Sequence, residues 1–390
     1  MIKLANRMSN LGTETAFEVL VKARALEAQG RDIIHLEVGE PDFATPENIV
    51  DAAVESLRHG ATKYTPSAGI PELRAAIAKR VSESRGITVK PEQVVVTPGG
   101  KPIMFFVILA LVDAGDEVVT PNPAFPIYES MIRFTGGIPR FYRLREENNF
   151  RFDPDEFRSL VNAKTKLIIL NSPQNPTGGV LEESDLAVIA ELATKYDIPV
   201  LADEIYWQII YDGKFHSITQ FPGMAERTII LDGFSKSYSM TGWRLGFGVM
   251  NEQLAPHITR LMTNSNSCTS ALTQWAGVEA LNGPQASVEN MRRAFHERRD
   301  AIVAGMNQIP GFRCLTPKGA FYVFPNITGT GWDSRKMADY ILNNAGVACL
   351  SGTAFGEYGE GYLRFSYANS LENINKALMR IREAVEKIQD

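Results

Sequence analysis

The chain is expected to be an α/β protein: a large domain with a mainly parallel sheet covered by helices, plus a smaller α+β domain. Three observations lead there. Short apolar segments alternate with helical patterns between residues 45 and 285. Several of those segments are apolar on both faces, as strands buried in a parallel sheet are. After about residue 285 a long charged helix opens a different pattern of short strand candidates. With 390 residues and roughly 150 residues per domain, two or three units are expected. They divide into a segment 1–44 that packs with the small domain, a large domain 45–285 and a small C-terminal domain 286–390.

In chain order, an amphipathic helix over 14–29 ends at Gly30. Thr45 and Pro46 cap and start a helix that Gly60 closes. Pro71 to Gly86 repeats the device, with proline at the helix start and glycine just past its end. Strand candidates follow: QVVVTP (93–98), DEVVTP (116–121), TKLIILN (165–171), DIPVLAD (197–203), RTIILD (227–232) and RLGFGVM (244–250). Helical patterns such as 181–196 lie between most of them, so the sheet should hold at least six strands. Beyond the charged helix at 284–308 come FRCLTP, AFYVFPN, VACLSG and YLRFSYA, with helices over 333–345 and 370–388. No repeat, low-complexity tract or Pro/Ser-rich linker interrupts the chain. That points to closely apposed domains with a ligand crevice between them.

Composition narrows the function. The chain is 44% hydrophobic and 22% charged with a net charge of −5, which is ordinary for a globular protein and gives no whole-chain attraction to nucleic acid. The N-terminal MIKLANRMSN lacks the apolar core of a secretory signal. The longest apolar runs, such as IMFFVILALV, are too short to span a bilayer, so the expected address is cytoplasmic. Cys268, Cys314 and Cys349 suggest neither a disulfide framework nor a zinc knuckle and should be buried apolar fillers. The five histidines show no two-histidine ligand spacing, and no metal site is expected.

Candidate chemistry gathers at strand ends. In Asp232-Gly-Phe-Ser-Lys236-Ser-Tyr-Ser-Met-Thr-Gly-Trp-Arg244, an apolar strand runs into a turn with one lysine ringed by small hydroxyl residues. Most lysines are merely solvated, but a desolvated one has a lowered pKa and reacts with carbonyl compounds. Arg244 offers a fork suited to phosphate, and Ser235 adds a hydroxyl. After TKLIILN, the loop Asn171-Ser-Pro-Gln-Asn175-Pro-Thr-Gly178 is expected to be held extended by its two X-Pro steps, unless it is an ordinary turn. In Asp203-Glu-Ile-Tyr206, an acid ending an apolar strand needs a partner, or caps a helix. Gly99-Gly100-Lys101 between a strand and a helix lacks the full P-loop pattern, yet amides at a helix start hold phosphate. Phe125 is placed either to stack on a flat ring or to pack in the core.

In this joint order the blocks resemble the class I/II aminotransferases of the pyridoxal-phosphate superfamily (fold type I), in the branch of bacterial aspartate aminotransferases. The resemblance runs from Gly39-Glu-Pro-Asp-Phe-x-Thr-Pro46 to Tyr362-Leu-Arg364-Phe-Ser. It implies pyridoxal 5′-phosphate carried on Lys236, which also moves the substrate proton. It implies that Asp203 pairs with the pyridine nitrogen, while Asn175 and Tyr206 bond the phenolic oxygen. Arg244, Ser235 and the backbone of Gly99, Gly100 and Lys101 would hold the phosphate, and Phe125 would stack on the ring. Arg364 would clamp the substrate α-carboxylate, helped by Asn175 and the Gly39 amide. Tyr64 would reach a phosphate in the partner subunit of a homodimer.

Two positions depart from parts of that family. Gly233 stands where some members carry serine, removing one phosphate contact, and Phe125 stands where many aspartate-specific members carry tryptophan. Lys101 pulls the other way, because a cation in this loop accompanies acidic substrates in this branch. The implied reaction moves the amino group of an L-amino acid, with aspartate leading, to 2-oxoglutarate. Alanine, aromatic or other neutral donors, and a lyase of the same fold, are the alternatives. A Rossmann dehydrogenase fails for want of a G-x-G-x-x-G turn.

Overall fold

A computed structural model describes residues 2–389. Its centre is a seven-stranded sheet. In spatial order the strands are Val94–Thr97, Gly246–Val249, Thr228–Gly233, Val200–Asp203, Thr165–Asn171, Glu117–Asn122 and Ile138–Arg143. Neighbours run parallel except around Gly246–Val249, which is antiparallel to both of its partners. The central strands are buried on both faces, which is why they read as continuous apolar runs instead of alternating ones. The six strand candidates of the large region are all strands. Ile138–Arg143 was not legible because it is a half-exposed edge strand carrying Pro139 and two arginines, a composition that edges tolerate.

Helix ends follow local chemistry, with one correction. Helix Pro71–Arg85 starts at its proline and stops at Gly86, whose φ of +66° suits the left-handed cap. Helix Glu47–Arg58 starts at Pro46, but Thr45 does not cap it. The Thr45 hydroxyl instead donates to the Ser239 carbonyl at 2.6 Å and accepts from Trp243 Nε1 at 2.9 Å, tying the N-terminal segment to the turn after Lys236.

The C-terminal strand candidates were longer than the strands that form. FRCLTP makes only a bridge from Arg313 to Asn326. AFYVFPN shrinks to Tyr322–Val323, and VACLSG splits into Val347–Ala348 and Leu350–Ser351. Leu350–Ser351, Leu363–Ser366 and Tyr322–Val323 form a small antiparallel sheet. Phe312 and Cys314 were apolar for another reason: they pack in the cluster of Phe321, Phe365 and Ile381. Ile34–His35 pairs in parallel with Val347–Ala348, joining the first forty residues to this region. Cys314 and Cys349 are buried, whereas Cys268 is only half-buried and accepts from the Thr65 amide at 3.5 Å, which corrects its reading as core filler.

Candidate active site

The parallel strands end on one side of the sheet, where open α/β folds bind ligands, around a cavity of about 550 Å³. Val94–Thr97 leads to Gly99, Gly100 and helix Lys101–Leu111, and Glu117–Asn122 leads to Phe125 and helix Ile127–Phe134. Thr165–Asn171 carries the Asn175 loop, Val200–Asp203 ends in Asp203, and Thr228–Gly233 delivers Ser235 and Lys236. Arg364 comes from strand Leu363–Ser366 and Gly39 from the N-terminal segment. Every site candidate of the sequence lines this cavity except Gly99 and Tyr64.

Lys236 sits on a turn pinned by Phe234, which is buried against Leu245 and Phe247. Its Nζ donates to the Gly39 carbonyl at 2.6 Å. Burial lowers its pKa to about 8; Glu40 pulls it back up, and Arg364 lowers it further. An amine in that range keeps a usable unprotonated fraction near neutral pH.

Arg364 is buried, and its Nη1 donates to Asn175 Oδ1 at 3.2 Å while Nη2 donates to the Glu37 carbonyl. Among the described residues its Nε has no partner. Arg244 donates to the Thr241 carbonyl at 2.8 Å. Among the described residues neither arginine, nor Lys236, makes an ion pair. Arg364 is a buried cation without counter-charge, which is costly, and Arg244 adds an exposed, unpaired guanidinium at the edge of the same cavity, so the cavity suits anions. The Gly99 turn fits this: a Cβ there would stand 2.1 Å from Arg244 Nη2, so only glycine lets the guanidinium lie against it.

Asp203 is the counterpart. It is buried, accepts from the Tyr128 hydroxyl at 2.5 Å and from the Ile205 amide at 3.2 Å, and needs a cationic neighbour to ionise comfortably. Burial raises its pKa to about 6, and the Tyr128 bond holds that rise back. The Tyr206 hydroxyl lies 2.7 Å from that of Tyr322, and burial with this neighbour raises the Tyr206 pKa well above the usual phenol. Tyr206 is therefore a neutral hydrogen-bonding group.

The family model "Aminotransferase class I and II" matches residues 31–381. The chain belongs to that family. It is 39% identical to an aspartate aminotransferase of Bacillus subtilis, over 99% of this chain and 100% of that one. An aspartate aminotransferase from Thermus thermophilus solved with maleate superposes with a TM-score of 0.94 at 37% identity, covering 98% of this chain and 100% of its own. An alanine aminotransferase from Pyrococcus furiosus also superposes at 0.94, with 32% identity over 99% and 100% of the two chains.

Within this aminotransferase the SPQNPTG loop is not extended. It folds back through Gly178 N to Gln174 O at 2.8 Å and Gln174 N to Gly179 O at 2.9 Å. The Gln174 side chain accepts from Thr177 and stabilises the turn, presenting Asn175 to the cavity. Tyr64 is 90% exposed and stands outside the cavity. Gly233 is tightly packed: a Cβ would come 3.0 Å from the Gly246 Cα, so a larger residue needs the neighbouring strand to give by a few tenths of an ångström.

Three groups were missed by sequence reasoning. Tyr128 lies three residues beyond Phe125, one helical turn along a segment already singled out, so spacing pointed to it. Tyr322 sat inside a strand candidate, with nothing to separate it from core aromatics. Glu14 pairs with Lys101 at 2.5 Å across the cavity mouth, a contact between distant segments that no local pattern reveals.

Proposed function

We propose that this aminotransferase uses pyridoxal 5′-phosphate carried on Lys236 and takes aspartate as amino donor and 2-oxoglutarate as acceptor. The observation that carries the reading is the convergence, in one cavity, of a lysine with a lowered pKa, a buried acid and two arginines without counter-charge. Those four groups fit an aldehyde, a protonated ring nitrogen, a phosphate and a substrate carboxylate. When bound, the cofactor supplies an electron sink for charge developing at the substrate α-carbon. The chain's own residues do the rest. Arg364 binds and orients the α-carboxylate through a planar fork, with the Gly39 amide beside it. With Asn175 Oδ1 taken by Arg364, its Nδ2 is left to donate to the phenolic oxygen, together with Tyr206. Lys236 Nζ removes the proton from the α-carbon and returns it elsewhere. Arg244, Ser235 and the Gly99–Lys101 backbone hold the phosphate, Asp203 keeps the ring nitrogen protonated, and Phe125 covers the ring. Without an indole at Phe125, the cation of Lys101 remains to recognise a side-chain carboxylate.

Steady-state rates with aspartate, alanine and phenylalanine against 2-oxoglutarate test the donor, with oxo acid as the expected product. Ammonia or carbon dioxide in its place would turn the reading toward a lyase or decarboxylase. If Lys101 holds the β-carboxylate, Lys101→Ala removes a charge-assisted hydrogen bond and lowers kcat/KM for aspartate by roughly ten- to a hundredfold. Alanine should lose much less. One observation favours a second reading, in which uncharged donors are preferred: Lys101 already has an acid against it.

The same proposal includes a homodimer in the cytoplasm. Three cysteines without a disulfide suit a reducing compartment, and among the described residues no helix is long and apolar enough to cross a membrane. Tyr64 is exposed, and helix Glu47–Arg58 also exposes Val50, Val54 and Leu57, whose spacing puts them on one face, the kind of apolar face that partners cover. Sedimentation should give twice the 43.1 kDa chain mass; an active monomer at assay concentration would contradict this.

A further inference from the structure

The N-terminal segment crosses the mouth of the cavity between two anchors. At one, the Gly12 amide donates to Ser130 Oγ at 2.9 Å and that hydroxyl donates back to the Gly12 carbonyl at 3.2 Å. At the other, helix Ala16–Glu27 begins. Glu14 lies between them, lines the cavity with Phe17, and sets Oε1 2.5 Å from Lys101 Nζ. Its side chain is 15% exposed, against 44% for that of Lys101. The Phe125 ring lies 5.5 Å from the same Nζ, so one side of the pair is apolar. The chain thus places its own carboxylate on the cation that an acidic side chain of the substrate would need.

We propose that Glu14 is a specificity-determining residue that competes with the substrate's side-chain carboxylate for Lys101. The inference rests on the reading of Lys101 as a substrate-side cation. A donor with an uncharged side chain leaves the Glu14–Lys101 pair intact and strands no charge. Aspartate must take Lys101 from Glu14 and then sits beside a displaced like charge, which is unfavourable at short range in a partly desolvated site. Because both anchors hold the backbone, the adjustment falls on the Glu14 side chain. The acid therefore discriminates against dicarboxylates without touching the groups that bind the α-carboxylate.

The test compares kcat/KM for aspartate and alanine in the wild type, Glu14→Gln, Lys101→Ala and the double variant, all as holoenzyme. Glu14→Gln should raise the aspartate-to-alanine ratio by roughly five- to thirtyfold, chiefly through a lower KM for aspartate. Glu14→Asp should keep the ratio near the wild-type value, and in the Lys101→Ala background the Gln substitution should no longer move it. If Lys101→Ala lowers the ratio but Glu14→Gln leaves it unchanged, the competition is overturned while the role of Lys101 stands. Equal changes for both donors in Glu14→Gln would make Glu14 only a tether of the segment, and overturn the proposal. A ratio indifferent to Lys101→Ala would instead remove the reading of Lys101 itself.

Discussion

Lys236→Ala should lose turnover by a factor of about 10⁴ or more while the chain still folds. General acid–base catalysis alone is worth about 10² to 10⁴, and this side chain is also the proposed attachment point. The substitution removes an amine whose only hydrogen bond among the described residues is to the Gly39 carbonyl, so little packing is lost. Folding has a reason to tolerate it. Burial lowers the lysine's pKa from 10.5 to about 8, so its charge opposes folding below pH 8, and that cost fades as pH rises from 8 toward 10.5. The measurements are steady-state rates, circular dichroism and borohydride labelling after incubation with pyridoxal phosphate. Wild type should carry one label on the peptide containing Lys236, and the variant none. Activity within tenfold of wild type, or a label on another lysine, would remove Lys236 from its role.

How much of this was legible follows from how local each signal is. The central strands declared themselves because both faces are buried, so LIIL or VVV admits few other readings. Ile138–Arg143 did not, because an edge strand needs no apolar run. In the C-terminal region, FRCLTP alternates and AFYVFPN is continuously apolar, both strand-like, although most of their residues simply fill a core. Apolar character reports burial, and only pairing partners distant in sequence decide whether a buried segment joins a sheet.

For the site, residues at strand ends were readable, since Asp203, Asn175 and Lys236 each break an apolar run with a polar group. The contacts that tune them were not. Tyr128 reaches Asp203 from helix Ile127–Phe134, Tyr322 reaches Tyr206 across 116 positions, and Glu14 reaches Lys101 from the N-terminal segment. Such pairs exist only once the fold brings distant segments together. Lys101 shows the consequence: its residue type alone suggested a free cation, and the structure gives it a partner.

Asp203→Asn should cut turnover by orders of magnitude and yet stabilise the cofactor-free protein. The two effects have one cause. Burial raises the carboxyl pKa from 3.8 to about 6, so ionised Asp203 costs about 3 kcal/mol of folding free energy at neutral pH. The sign follows from proton counting: below pH 4 the acid is protonated in both states and costs nothing. Between pH 4 and 6 the unfolded chain ionises first and stability falls, and above pH 6 the full cost remains. Asparagine carries no charge; its Oδ1 still accepts from the Ile205 amide, and its Nδ2, in place of the other carboxylate oxygen, donates to the Tyr128 hydroxyl. Urea unfolding of cofactor-free protein should therefore find the variant more stable by up to about 3 kcal/mol at pH 8, with the advantage shrinking as pH falls from 6 toward 4. With cofactor bound the order should reverse, because a cationic ring nitrogen beside Asp203 offsets the burial cost, and removing one partner of such a pair costs about 3–5 kcal/mol. That loss at the reacting stage corresponds to roughly two to four decades in rate. A site that is unfavourable until its ligand arrives is the usual trade of stability for function. Turnover within tenfold of wild type, or a stability advantage over wild type no larger at pH 8 than at pH 4, would break the link between the buried charge and the chemistry.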